Sequence, residues 1–191
     1  MYKRLAIFSI AFIALLAAAI FTAPFGVTAA ADGRLADPKP TPSKSKPMMR
    51  TVVFIDGEFD GTELVKSDAQ WKKELSPAEF YVMREEGTER PYTGALTTNK
   101  KTGTYHCAAC GLVLFKSDAK YDSQTGWPSF FQVAFKKNVI ETADRSLSEV
   151  RTEVECARCK AHLGHVFDDG PQPTGLRYCM NSVSLKFKEM K

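Results

Sequence analysis

His106-Cys107-Ala108-Ala109-Cys110-Gly111 and Glu155-Cys156-Ala157-Arg158-Cys159-Lys160 carry four of the chain's five cysteines. In each, two residues separate the sulfurs, a spacing at which a tight turn aims both at one tetrahedral ion. Gly111 tolerates the backbone that follows such a turn. Four thiolates close the shell of a zinc ion, so the pattern reads as a structural zinc staple rather than a catalytic metal with an open position. The long spacer between the pairs only closes a loop, whose entropy grows slowly with length. Two other uses of the same cysteines stand beside this one. They could form two disulfides, or each Cys-x-x-Cys could be a redox pair, although the βαβ surroundings of such a motif are missing.

Outward from the pairs, the sequence from Tyr105 onward alternates aromatic and β-branched runs with Gly, Asp, Asn and Pro breakers, as in an antiparallel β domain. The runs cover residues 111–115, 130–140, 149–156 and 176–187. Two helical starts precede them. Ser67-Asp68 can cap a segment that places Trp71 and Leu75 one turn apart. Ser76-Pro77-Ala78-Glu79 is a capping box with proline at the first helical position, and Gly87 is expected to close that helix. Residues 51–55 form a short β-type run with no evident partner.

The amino-terminal third has a different composition. Lys3 and Arg4 precede an almost wholly apolar run over residues 5–21, and Ala29-Ala30-Ala31 before Asp32 is a small-x-small site. Residues 1–31 therefore read as a signal peptide, or as an N-terminal membrane anchor if uncut. Residues 32–50 set four prolines among lysines and serines and read as a linker, leaving residues 67–191 as the main domain. The domain is thus expected to be exported: periplasmic, secreted, or membrane-anchored outside the cytoplasm. Metal binding would also explain how its thiols survive there. Residues 1–50 hold seven of the 26 Lys/Arg and two of the 22 Asp/Glu, so the rest of the chain carries one net negative charge. A nucleic-acid partner is not expected of such a body, because phosphate neutralisation needs a basic surface.

The paired motifs leave Cys179 over. A lone cysteine can be a small buried hydrophobe. Its setting is Leu176-Arg177-Tyr178-Cys179-Met180-Asn181-Ser182-Val183. At a period of two, Arg177, Cys179 and Asn181 share one strand face, which is expected to continue into the core as Val183, Leu185 and Phe187. Arg177 would favour the thiolate, the nucleophilic form. Ala161-His162-Leu163-Gly164-His165 brings two of the three histidines close to the second cysteine pair. They could join Cys159 on a metal, or stay free as proton donors and orienters near Cys179, which a closed shell of four thiolates favours.

With these residues placed, the sequence resembles the B-type methionine sulfoxide reductases, the methionine-R-sulfoxide reductase family, from about residue 67 to residue 187. The likeness rests on separated motifs in order: Gly94, the first cysteine pair, Tyr121-Asp122-Ser123 and Gly126-Trp127-Pro128-Ser129-Phe130. It continues through Arg151-Thr152-Glu153-Val154, the second pair, Ala161 to Phe167, Asp169-Gly170-Pro171, Gly175, and Arg177 to Ser182. The resemblance implies a mainly β fold of two antiparallel sheets with short N-terminal helices, stapled by zinc opposite the active face. It implies a peptide-methionine (R)-S-oxide reductase acting on oxidised proteins and peptides, with Cys179 as nucleophile. His162, His165, Asp169, Arg177 and Asn181 would form the polar wall. Trp127 would receive the substrate's methyl group, unless it is a plain core aromatic.

One departure concerns Thr125, which stands where many members carry a resolving cysteine. An internal disulfide is therefore not expected. Cys179 would stop at a sulfenic acid, and a thioredoxin-like protein or a small thiol would recycle it. The rival class is a zinc-ribbon-like binding module, against which the near-neutral body and the Arg-x-Cys-x-Asn strand both count.

Overall fold

The computed structural model describes residues 50–191; the segment expected to be a signal peptide or anchor, 1–31, and all of the expected linker but Arg50 lie outside them. Both helical starts form capping boxes. Ser67 opens α1 (Asp68–Glu74) in exchange with Gln70, and Ser76 opens α2 (Pro77–Arg84) in exchange with Glu79. Each such cap typically contributes about 1 kcal/mol. Trp71 and Leu75 are buried one turn apart, with the Lys66 amine and the Arg84 guanidinium 4.8 and 5.5 Å from the Trp71 ring centroid. The helix stops at Arg84, and Glu86 rather than Gly87 takes the left-handed turn at φ 55°. The Gly87 amide closes the end by donating back to the Tyr81 carbonyl at 3.0 Å, its missing side chain leaving room for the Tyr81 ring.

Nine strands follow: β1 (Gly103–Cys107), β2 (Val113–Lys116), β3 (Lys120–Tyr121), β4 (Ser129–Phe130), β5 (Val139–Asp144), β6 (Arg151–Cys156), β7 (His162–Phe167), β8 (Arg177–Met180) and β9 (Leu185–Glu189). They make two sheets, one in the order β2-β1-β9 and one in the order β3-β4-β8-β7-β6-β5, with every pairing antiparallel. The expected fold, a mainly β domain with short helices before it, is the fold observed. Aromatic side chains join the sheets: Phe115 of β2 stacks on Phe130 of β4 at 4.3 Å, and Tyr105 of β1 meets Phe130 edge-on at 5.0 Å. Each large side chain buried this way contributes about 1.5–3 kcal/mol.

Two sequence runs are not the single strands they resemble. In residues 130–140, β4 ends at Phe130 and β5 begins only at Val139, after a 3-10 turn at Lys136–Asn138. In residues 176–187, β8 ends at Met180 and a 3-10 turn at Ser182–Ser184 carries the chain to β9 in the other sheet. The Glu89 carboxylate enforces that break, because it accepts the Ser182 and Val183 amides at 2.5 and 3.1 Å and so removes them from any ladder. The face assignment changes with it. Tyr178 and Met180 enter the core, whereas Arg177 and Cys179 lie on the opposite side of β8. Residues 51–55 contribute only one bridge, Ile55 to Leu112.

Candidate active site

The two cysteine turns are built alike. Gly111 and Lys160 donate back to Cys107 and Cys156 at 2.8 Å, and both adopt left-handed backbone, at φ 82° and 55°. At Gly111 a side chain is also sterically excluded, since a Cβ would sit on the Val53 carbonyl. The four sulfurs are buried and lie within 4.8 Å of one another, with Cys107–Cys159 at 3.6 Å and Cys110–Cys156 at 3.5 Å. A disulfide would need about 2.05 Å. The sulfur edges of a zinc tetrahedron with bonds of about 2.3 Å are about 3.8 Å, so the four thiols fit a metal ion. The segment before α1 braces this cluster: Arg50 donates to the Ala108 and Ala109 carbonyls, and Leu64 donates to that of Arg158.

His162 and His165 do not join the sulfurs. His162 bonds Glu153 through Nδ1 at 2.6 Å, and His165 bonds Asp144 through Nε2 at 2.9 Å. A bulge at Val154/Glu155 absorbs one extra residue of β7, so these histidines, three apart, reach the same side with ring centroids 5.4 Å apart. On that side the sheet aligns Tyr121, Ser129, Cys179, His165 and Glu153 opposite one another across β3, β4, β8, β7 and β6. Gly164 permits the close contact of β7 with β8, because a Cβ there would strike the Cys179 carbonyl oxygen.

Beside Cys179 opens a cavity of about 130 Å³, walled by Trp127, Phe167, His165 and Asn181, with Thr88 and Arg151 also lining it. Trp127 is a half-buried wall rather than a core aromatic, held by its indole N–H donating to the Glu89 carbonyl at 3.1 Å. Asn181 is fixed at both ends of its amide: it donates to the Leu163 carbonyl at 3.1 Å and accepts the Glu89 amide at 3.0 Å. It has left the strand but still faces the cavity. Typical small-ligand pockets measure about 300–1,000 Å³, so this one suits the tip of a side chain better than a free metabolite.

Burial pushes the Cys179 thiol up, and the Thr125 hydroxyl, the Arg177 guanidinium and the Ser129 hydroxyl oppose that shift without reversing it. The expected thiolate bias from Arg177 is thus present but outweighed. Arg177 itself is shared: Asp169 binds it twice, at 2.8 and 2.9 Å, and it lies 4.3 Å from the Phe167 ring centroid. Burial lowers both site histidines, so His162 and His165 are neutral at pH 7. Asp144, by contrast, is held well below the usual carboxylate range by Ser146, His165 and Arg151.

The model of the SelR domain family matches residues 75–189 of the chain. The chain belongs to this family. The peptide methionine sulfoxide reductase MsrB of Leptospira interrogans is 56% identical to it over 127 residues, 66% of this chain and 97% of that protein. Its counterpart in Bradyrhizobium diazoefficiens is 56% identical over 126 residues, 66% of this chain and 91% of that protein. The Methanosarcina barkeri protein of the same name is 56% identical over 123 residues, 64% of this chain and 87% of that protein. The likeness to B-type methionine sulfoxide reductases read from the motifs is therefore a family membership.

Of the site residues expected within this SelR domain, Cys179, His165, Asn181 and Trp127 meet at one cavity. His162 packs behind His165, and Asp169 and Arg177 pair outside the cavity wall. Sequence reading missed Asp144, Glu153, Arg151 and Glu89. Arg151 and Glu153 lay in a quoted motif without a role, and nothing local to Asp144 or Glu89 marks either one.

Proposed function

We propose that the chain reduces methionine R-sulfoxide in proteins and peptides to methionine, with Cys179 as nucleophile. The observation that carries this reading is the position of Cys179, apart from the four-sulfur cluster, in the wall of a side-chain-sized cavity between Trp127 and His165. Trp127 and Phe167 offer apolar surface to the methyl group. His165 and Asn181 offer polar atoms to the oxygen. Because His165 is neutral, it acts as a shuttle: it takes the thiol proton from Cys179 and returns it to the sulfoxide oxygen as sulfur attacks sulfur. Asp144 holds the imidazole and steadies its charged form. The hydroxyl then passes to Cys179: the new sulfur–sulfur bond and the S–O bond to the substrate break, and a Cys179 S–O bond forms. Methionine leaves with its sulfur electron pair restored, and Cys179 is left as a sulfenic acid. A first external thiol converts this to a mixed disulfide and water, and a second thiol frees Cys179. A thioredoxin-like protein or a small thiol fills that role.

The four cysteines would hold a zinc ion, whose part would be structural, tying together the two Cys-x-x-Cys turns, with no step of the reaction passing through it. The composition of residues 1–31 supports export of the domain, by a cleaved signal peptide or a retained anchor. The test is turnover of the separate R and S epimers of a peptide methionine sulfoxide. Activity confined to the R epimer is expected, and comparable turnover of both would refute the cavity assignment.

A further inference from the structure

On the side of Cys179 away from the cavity, three hydroxyls run in a chain. Thr125 Oγ1 lies 3.9 Å from Cys179 Sγ, Ser123 Oγ lies 2.8 Å from Thr125 Oγ1, and Ser129 Oγ lies 2.6 Å from Ser123 Oγ. The far end is anchored, because the Ser129 hydroxyl donates to the Trp127 carbonyl at 3.2 Å. Ser129 is fully buried and stands directly opposite Cys179 in the sheet. The turn carrying Thr125 is fixed by the left-handed residues Gln124 and Gly126, at φ 59° and 92°, and by the Tyr92 hydroxyl, which donates to the Gln124 carbonyl at 2.7 Å.

Such a chain has two settings. With Cys179 protonated, its S–H points to Thr125, and the Thr125 and Ser123 hydroxyls donate onward to Ser123 and Ser129. With Cys179 ionised, each of those hydroxyls can turn around: Thr125 donates to the thiolate and Ser123 donates to Thr125. Ser129 turns with them, giving up its bond to the Trp127 carbonyl to donate to Ser123, so that every link of the chain keeps a hydrogen in either setting. The reversal moves hydrogens by rotation alone and needs no acceptor beyond those present. A hydrogen bond to a charged sulfur is stronger than one to a neutral sulfur, and polarised neighbours reinforce it.

We propose that Ser123 is a positioning residue that acts through Thr125, with Ser129 closing the chain beside the sulfur, and that the three form a reversible hydroxyl relay stabilising the Cys179 thiolate for attack on the sulfoxide. The proposal rests on the reading of Cys179 as nucleophile. It gives Thr125 a task of its own, that of direct donor to the reacting sulfur. The opposing influence of burial on that thiol makes such help consequential. The other groups facing Cys179 are Arg177 on its own strand, His165 on β7, Tyr121 on β3 and Arg151 across the cavity. Asp169 stands behind Arg177, and Asp144 and Glu153 stand behind the histidines. Substitutions in the hydroxyl chain leave all of them in place.

The test is the pH profile of Cys179 alkylation by iodoacetamide in the full, metal-loaded chain, with the label located by mass spectrometry. Thr125→Val should move the midpoint upward and slow labelling at pH 7 by about tenfold, with the alkaline plateau unchanged. Ser123→Ala should move it the same way by about threefold, since it acts through Thr125. Thr125→Ser, which keeps the hydroxyl, should restore the parent profile. Thr125→Val superimposing on the parent would overturn the relay, as would a lowered plateau with an unmoved midpoint. Ser123→Ala decides the matter alone if Thr125→Val fails to fold. Labelling is independent of turnover, so the two readings separate. A Cys179→Ser chain that still releases methionine defeats the proposed function, whereas unmoved labelling profiles defeat only the relay.

Discussion

Four cysteines and a fifth occupy one domain, and their surroundings could hardly differ more. Cys107, Cys110, Cys156 and Cys159 are buried among each other's sulfurs, on turns closed by backbone hydrogen bonds from Gly111 and Lys160. Cys179 has no sulfur neighbour in that cluster; hydroxyls, an imidazole and a cavity surround it. The same atom type is thus grouped so that it could hold a metal ion in one region and, in the proposed function, is left open to react in the other. Neighbours decide this, not burial alone, since burial opposes ionisation of Cys179 as well.

The sharpest way to break the contrast is to remove one sulfur from each side. Cys156→Ser should cost the domain its metal and its cooperative fold, because metal binding in such sites is worth about 10 kcal/mol or more of folding free energy. Metal content and thermal unfolding would report it. Cys179→Ser should keep the metal and the parent melting profile while losing all turnover. A folded, metal-free Cys156→Ser chain with full activity would contradict the structural role of the cluster.

A smaller effect tests the side chains that serve Cys179. His165→Ala should lower kcat/KM by roughly 10²–10⁴-fold, the usual range for lost proton transfer. Asp144→Asn should cost less, about 10-fold to 100-fold, because it leaves the ring but loses the charge that steadies its protonated form. The pH dependence has a definite sign. The shuttle uses the Cys179 proton and a neutral His165, so kcat/KM should be level from about pH 6.5, above which the lowered histidine is already neutral. It should fall only above the ordinary thiol value of about 8.5, where the raised Cys179 begins to lose that proton to solvent. A fall already complete below about pH 8 would contradict the raised thiol.

The contrast between the two regions was only half legible in the sequence. The cysteine turns could be read because their chemistry is local: a spacing of two residues and a following glycine encode the geometry directly. The helix caps at Ser67 and Ser76 were legible for the same reason. The polar wall depends on register, which adjacent residues do not encode. His162 and His165 share a side only because of a bulge whose other half lies in β6. Asp144 meets His165 from a strand two places away, across the sheet from β7. The break after Met180 was invisible because the carboxylate that causes it, Glu89, lies more than ninety residues upstream. Strict alternation therefore carried Asn181 along the strand, when the chain in fact turns there toward the other sheet.

The smallest expected change in rate carries the finest comparison, for it makes the reactive region resemble the cysteine cluster. Thr125 Oγ1 sits 3.9 Å from Cys179 Sγ, on a turn outside both sheets. A sulfur at that position must close to about 2.05 Å to bond, a movement that side-chain rotation and a modest shift of the turn can supply. Thr125→Cys should therefore slow methionine formation in a single turnover by less than the roughly tenfold expected of Thr125→Val, since the new thiol is a weaker donor to Cys179 than the hydroxyl but still a donor. What changes is the oxidised product. In the parent, one equivalent of substrate without reductant should leave a sulfenic acid on Cys179, which a sulfenate-specific reagent labels. In Thr125→Cys, the sulfenic acid should condense with the new thiol, the mass should fall by two hydrogens, and the label should vanish. Recycling by a thioredoxin-type donor should then quicken, because the donor meets an internal disulfide instead of a sulfenic acid within its pocket. A persistent sulfenic acid in Thr125→Cys would mean that the turn does not bring the two positions within bonding reach. A disulfide to Cys179 in the parent would be more damaging. The only sulfurs that could supply it belong to the cluster, and the separation of metal-holding from reacting thiols would no longer hold.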